Sequence, residues 1–190
     1  MSLLDNLRRR FAGPPAAVRA VVDGSEHAEE RVLTWGALVR DDGWLVATSR
    51  GLRVVTTAGT EREDVFVPWH EVASARWSGS TDGAGSFSVV RLTEVEPGVQ
   101  ARLPAVRFPL AKASDLPAVV RRRVDETVVA SQRFPLPEGG GVLLVSRRLP
   151  GQAAREWTVV FDDDTDRSDP AMRESARQRL ADAVAAEQPD

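Results

Sequence analysis

The residues best suited to chemistry in this chain are two histidines and one run of aspartates. His70 stands between Trp69 and Glu71, and an imidazole beside a carboxylate can serve as a general base. It has no nucleophile to activate, because no serine sits in an elbow motif and the chain contains no cysteine. The other histidine, His27, lies far upstream in a polar stretch, and two separated imidazoles without thiolates are a poor ligand set for a transition metal. Asp162, Asp163, Asp164, Asp166 and Asp169 make the densest acidic cluster. Their spacing opens like a calcium loop and then departs from it: Arg167 stands where the loop needs glycine, and Arg173 where it needs a bidentate glutamate. The expectation is a solvated loop whose carboxylates flank a helix N-terminus, each favourable there by about 0.3–1 kcal/mol. Weak divalent binding at Asp162–Asp169, or an enzyme built on His70, is the alternative.

The remaining clusters also have ordinary explanations. Gly139-Gly140-Gly141 precedes a strand pattern and lacks the Lys-Ser/Thr of a phosphate loop, so it reads as a turn. Arg121-Arg122-Arg123 and Arg147-Arg148 could form a basic patch, but acidic neighbours and a net charge of −3 favour a solvated face and exclude a general pull toward nucleic acid. Arg123 is expected to run its stem along the barrel. Lys112 is the only lysine among 25 basic residues, which points to a GC-rich genome of the actinobacterial kind and weakens any meaning of arginine clustering. Of the five tryptophans, Trp35, Trp44, Trp69 and Trp77 fall in one central region and Trp157 lies later. Most are expected in cores, and an exposed one would mark a partner site. No catalytic, cofactor or metal-binding residue is assigned.

The elements that must position these residues centre on Gly43–Trp77. Trp44, Val46 and Thr48 alternate with Leu45, Ala47 and Ser49, which predicts a strand; Arg50-Gly51 is a turn; and Leu52, Val54 and Thr56 alternate in a second strand. Ala58–Asp64 reads as a polar loop. Val65-Phe66-Val67 resumes a strand that Pro68 ends, and Trp69–Trp77 bends into another. Val46, Thr48, Leu52, Val67, Pro68, Trp69, Val72 and Ala75 resemble the pattern of bacterial PH-like domains. That resemblance covers roughly residues 25–131. It implies an α+β fold with a PH-like antiparallel β-barrel of two near-orthogonal sheets closed by a helix. Phosphoinositide-binding relatives place basic residues in the first hairpin. Here that turn is Arg40-Asp41-Asp42-Gly43, which argues against a lipid headgroup.

Around this centre the chain divides into an N-terminal helix and connector (1–24), the barrel with its closing helix (25–131), and an appended β-hairpin and C-terminal helix (132–190). Ser2 caps a helix to about Phe11, with Leu3, Leu4, Leu7 and Phe11 on one face followed by Arg8, Arg9 and Arg10. These seven residues are the candidate partner or membrane contact. A terminal helix folded on its own domain is favoured, since about ten residues are marginal as a free helix and one weak face falls short of stable anchoring. Ala16–Val22 is helix or strand. Arg31–Val39, Ser86–Thr93 and Ala105–Leu110 read as strands, and Glu94–Pro104 as a connection. A helix capped by Ser114 or Asp115 runs to about Ser131, with Leu116, Val120, Val124, Thr127 and Val128 inward. Gln132–Leu136, Gly141–Arg148 and Arg155–Phe161 are three further strands. Asp169-Pro170 starts a last helix with Met172, Ala176, Leu180, Ala183 and Val184 as its buried stripe.

No stretch approaches 18 apolar residues and no secretory leader is visible, so cytoplasm is the expected location. The expected function is non-enzymatic binding or scaffolding through an unknown protein partner, with no nucleic acid and no cofactor. Peripheral membrane association through the N-terminal helix is the alternative.

Overall fold

The computed structural model describes residues 13–27, 29–39, 43–58, 61–79, 84–112, 115–137, 139–149 and 155–187. The N-terminal contact residues Leu3, Leu4, Leu7, Arg8, Arg9, Arg10 and Phe11, and Arg40, Asp41 and Asp42 of the expected first turn, lie outside them. The described residues form an α+β structure of three α-helices and eleven strands. Strands β1 (Val32–Ala37), β2 (Trp44–Thr48), β3 (Gly51–Ala58) and β4 (Glu61–Pro68) make a four-stranded antiparallel sheet in sequence order. A 3-10 turn at Trp69–Glu71 leads into β5 (Val72–Gly79). Then follow β6 (Gly85–Glu96), β7 (Val99–Arg102), β8 (Val106–Leu110), β9 (Val128–Pro135), β10 (Gly141–Arg148) and β11 (Arg155–Phe161). These seven form a second sheet in the order β5-β6-β7-β11-β10-β9, with β8 also on β6. The first sheet and the β5, β6 and β8 part of the second curl into a half-barrel around a shared core.

That core follows from the alternation in the sequence. Leu45 and Ala47 of β2, Leu52 of β3 and Val67 of β4 point inward with Trp69, Val72, Phe87, Val89 and Leu110. Helix α2 (Leu116–Thr127) lays Leu116, Val120 and Val124 on it, one residue per turn of its inner face. Full burial of each such aliphatic side chain contributes about 1.5–3 kcal/mol. The opposite face of β2 and β3 is covered too. Val46 and Val55 pack against Val18 and Val21 of helix α1 (Ala16–Asp23), which settles the unresolved Ala16–Val22 as helix. A third cluster joins Val142, Leu144, Val159 and Phe161 to Met172 and Ala176 of helix α3 (Pro170–Glu187). Asp169 caps that helix, its Oδ1 accepting the Ala171 N–H at 2.7 Å.

Strand β6 ties the halves together. Its first part pairs with β5 on one side and β8 on the other, with Trp77, Phe87 and Phe108 in register; its last part, Leu92–Glu96, pairs with β7. β7 then pairs in parallel with β11, Val99 beside Val159. Residues after α2 therefore extend the barrel sheet.

Four expectations need correction. Helix α2 ends at Thr127, not Ser131, and Val128 is an exposed strand residue. The run Thr127-Val128-Val129 is β-branched throughout, and such side chains lose rotamer freedom in a helix but fit a strand. The polar stretch before Val65 is strand from Glu61, because pairing with β3 in unbroken register (Ala58 to Glu61, Thr56 to Glu63) satisfies its backbone whatever its polarity. Glu94–Pro104 is not a plain connection: it holds the end of β6 and all of β7. Val184 is 42% exposed rather than part of the α3 stripe.

Candidate interaction groove

The residues with chemical potential are dispersed by the fold. Burial pushes the His70 imidazole below its ordinary pKa, with Glu71 and Glu156 opposing and Arg147 reinforcing the shift, and its Nδ1 is buried without a hydrogen-bond partner. In the acidic loop, Asp162 Oδ2 binds Arg133 Nη2 at 2.7 Å, Asp163 lies 3.5 Å from Arg102, Asp166 accepts from Ser168, and Asp169 caps α3. Among the described residues no three His, Cys, Asp or Glu are grouped to hold a metal ion. The glycine run makes a turn, with Gly139 and Gly140 at positive φ. Arg147 and Arg148 do not share a patch. Arg148 is exposed, while Arg147 is 7% exposed and donates from Nη1 to Thr127 Oγ1 at 2.9 Å. That contact places a cation at the C-terminal end of α2, where the helix dipole favours it. Arg123 reaches Glu126 at 2.8 Å with its Nε buried.

The motif residues come together at a corner. Trp69 is buried in the barrel core and its indole N–H donates to the Thr48 carbonyl at 3.1 Å. The Thr48 hydroxyl accepts the Arg50 and Gly51 N–H groups and donates to Glu30 Oε1 at 2.6 Å. Glu30 leads to a feature the sequence reading missed. Its carboxylate receives Arg53 Nε at 3.0 Å and Nη2 at 2.8 Å, plus the Ser25 hydroxyl. Arg53 also donates to Asp64 at 2.9 Å and stacks 4.6 Å from the Phe66 ring centroid. A bidentate, fully hydrogen-bonded pair of this kind is strong and orientation-specific. It ties the segment before β1 to the outer face of β3. The available signal was an arginine amid the alternating apolar residues of a hairpin strand, with nothing to identify its partner.

Burial alone would raise the Glu30 carboxyl, but hydrogen bonds from Arg53, Ser25 and Thr48, with the nearby guanidinium charge, bring it from 4.5 down to about 2. A carboxylate depressed in the folded state stabilises the fold above its unfolded pKa and loses that contribution as pH falls through its folded value. The window therefore runs from about 4.5 down to about 2, with up to about 3 kcal/mol at stake. Urea unfolding across this range should show wild type losing stability more steeply than Glu30→Gln. Parallel slopes would remove Glu30 from the acid response.

A concave surface lies between β5 and α2. It is an open groove of about 900 Å³ lined by Ala75, Arg76, Trp77 and Phe87 on one side and Pro117, Ala118, Arg121, Arg122, Asp125 and Glu126 on the other. Among the described residues β5 pairs only with β6, so its other edge carries unpaired backbone donors and acceptors. Trp77 is half-buried, across from Phe87. Its indole lies against Gly79 and Gly85, which face each other across β5 and β6. A Cβ on Gly85 would sit 2.5 Å from Trp77 Cζ2, and one on Gly79 would strike Nε1. The two glycines thus make a ledge that fixes the ring in the groove. The charged rim holds Arg121–Asp125 and Arg122–Glu126 at 3.8 Å, exposed pairs worth about 0.3–0.5 kcal/mol each that a ligand can reorganise.

Among the described residues no helix is long and apolar enough to cross a membrane. Comparison with protein-family models, with curated proteins and with solved structures gives no significant match.

Proposed function

We propose that this chain is a non-enzymatic protein-interaction module with a PH-like barrel, and that the β5–α2 groove receives an extended segment of a partner protein as an added strand. The arrangement supports the PH-like reading. Four strands, then β5, β6 and β8, then a packed helix follow the expected order, with β7 as an extra strand between β6 and β8. The end of β1 meets the end of β8 through Ala111 N to Ala37 O at 3.0 Å and Val39 N to Pro109 O at 2.9 Å, a seam between the sheets. The functional reading rests on the free β5 edge beside Trp77 on its glycine ledge. An open edge offers main-chain hydrogen bonds, an apolar floor takes alternate side chains, and a rim of both signs fixes register. A half-buried tryptophan between them has the character of a binding hot spot.

A phage-displayed library of random peptides, selected on the wild-type protein, tests this. Enriched peptides should shift the amide resonances of β5 and α2, and Trp77→Ala should weaken them about 30-fold, the effect of losing a 2 kcal/mol hot spot. N-methylation of alternate peptide amides should weaken binding further. No enrichment, undiminished binding to Trp77→Ala, or shifts away from β5 and α2 would overturn the groove. Indifference to N-methylation would overturn strand addition.

A further inference from the structure

We propose that β9 is a self-association edge, pairing antiparallel with β9 of a second copy of this chain across a two-fold axis. β9 terminates the seven-stranded sheet, and seven of its eight residues are exposed, including Val128 and Val129 at 36% each. The other end of that sheet, β5, looks into the groove beside α2. Natural edge strands are usually blunted by lysines, inward charges or mid-strand prolines. β9 has none of these along its centre, and its one β-bulge, another such device, sits near its start at Val129. Its single charge, Arg133, is neutralised within the chain by Asp162, at 2.8 Å from Nε and 2.7 Å from Nη2, and Pro135 is its last residue.

The strand is also self-complementary. It reads apolar (Val128, Val129), then small and polar (Ala130, Ser131, Gln132), then Arg133 and apolar Phe134. A two-fold axis normal to the sheet keeps side chains on their own faces, so each residue meets one of the same parity. Centred on Ser131, the pairing sets Ser131 opposite its copy and Ala130 opposite Gln132, within the regular stretch that follows the bulge at Val129. Arg133 never meets its own copy, so no like charges oppose each other. The seven-stranded sheet would continue through both molecules. One added strand pair is a small interface, so the dimer is reversible and concentration-dependent.

Sedimentation velocity over a wide concentration range should show the wild type passing from monomer to dimer. Ser131→Lys sets two ammonium groups face to face and should leave a monomer at every concentration, with an unchanged melting temperature at low concentration. Because the chain has no cysteine, Ser131→Cys gives a second readout that does not depend on the lysine variant folding. It should form a disulfide-linked dimer on mild oxidation, while Ala118→Cys in the groove should not. A wild type that stays monomeric, a dimer that survives Ser131→Lys in folded protein, or equal cross-linking at both cysteines would overturn the proposal.

Discussion

Glu30→Ala should destabilise the protein by about 3–5 kcal/mol, the usual cost of stripping one partner from a buried ion pair. The loss is not simply the worth of the contact. Arg53 would remain buried against Phe66 with its Nε unmatched, and the Thr48 hydroxyl would lose its carboxylate acceptor and fall back on the Gly51 carbonyl at 3.0 Å while still holding the turn after β2. Replacing both ends, Glu30→Met with Arg53→Met, should recover much of the deficit, because desolvation of two charges offsets most of what a buried pair gains. Asp64 can turn to solvent in that variant, being the more exposed carboxylate of the two that Arg53 holds. Urea denaturation of the single and double variants gives the coupling energy directly. A loss below 1 kcal/mol in Glu30→Ala would mean that the segment before β1 is held by α1 packing instead.

Trp69→Ala is expected to cost about 3–5 kcal/mol by opening a cavity at the barrel corner. The residue is 2% exposed and touches the core from the 3-10 turn that redirects the chain from β4 into β5. Trp69→Phe separates the two contributions. It keeps most of the volume but leaves the Thr48 carbonyl without its indole donor, so a smaller loss of about 1–3 kcal/mol is expected. Chemical denaturation followed by circular dichroism measures both. Equal losses in the two variants would show that the hydrogen bond, not the volume, holds the corner.

The parts of this fold legible in the sequence are those governed by local periodicity. The limits of β10 and β11, the Asp169-Pro170 start of α3 and the alternation of β2 and β3 all depend on neighbours within a few residues. Thr48 and Trp69 were recognisable by type: the indole N–H is needed for the Thr48 backbone carbonyl, and the threonine hydroxyl for the Arg50 and Gly51 N–H groups and Glu30. What stayed hidden depends on distant chain. β7 is a four-residue strand whose pairing is supplied by β6 and β11, not by its own letters. Glu30 and Arg53 are brought together by the packing of α1 on β2 and β3. The groove was signalled only by the expectation that an exposed tryptophan marks a partner site, and Trp77 is half-buried on its ledge. The proposed membrane and partner contact at Leu3–Phe11 lies outside the described residues.

The parallel pairing of β7 with β11 also sets an order of assembly. Among the described residues every other neighbouring strand pair is antiparallel, and most join successive strands, so they can form as the chain leaves the ribosome. β7 must wait for β11, and Val99 finds Val159 only after β8, α2, β9 and β10 have been made. Closing so long a loop is slow relative to local hairpins. Until it closes, β7 presents a bare edge in a half-built sheet, the kind of surface that chaperones hold and that aggregates otherwise. A chain truncated anywhere before Val159 would keep that edge open for good. The C-terminal third is thus the element that finishes the seven-stranded sheet.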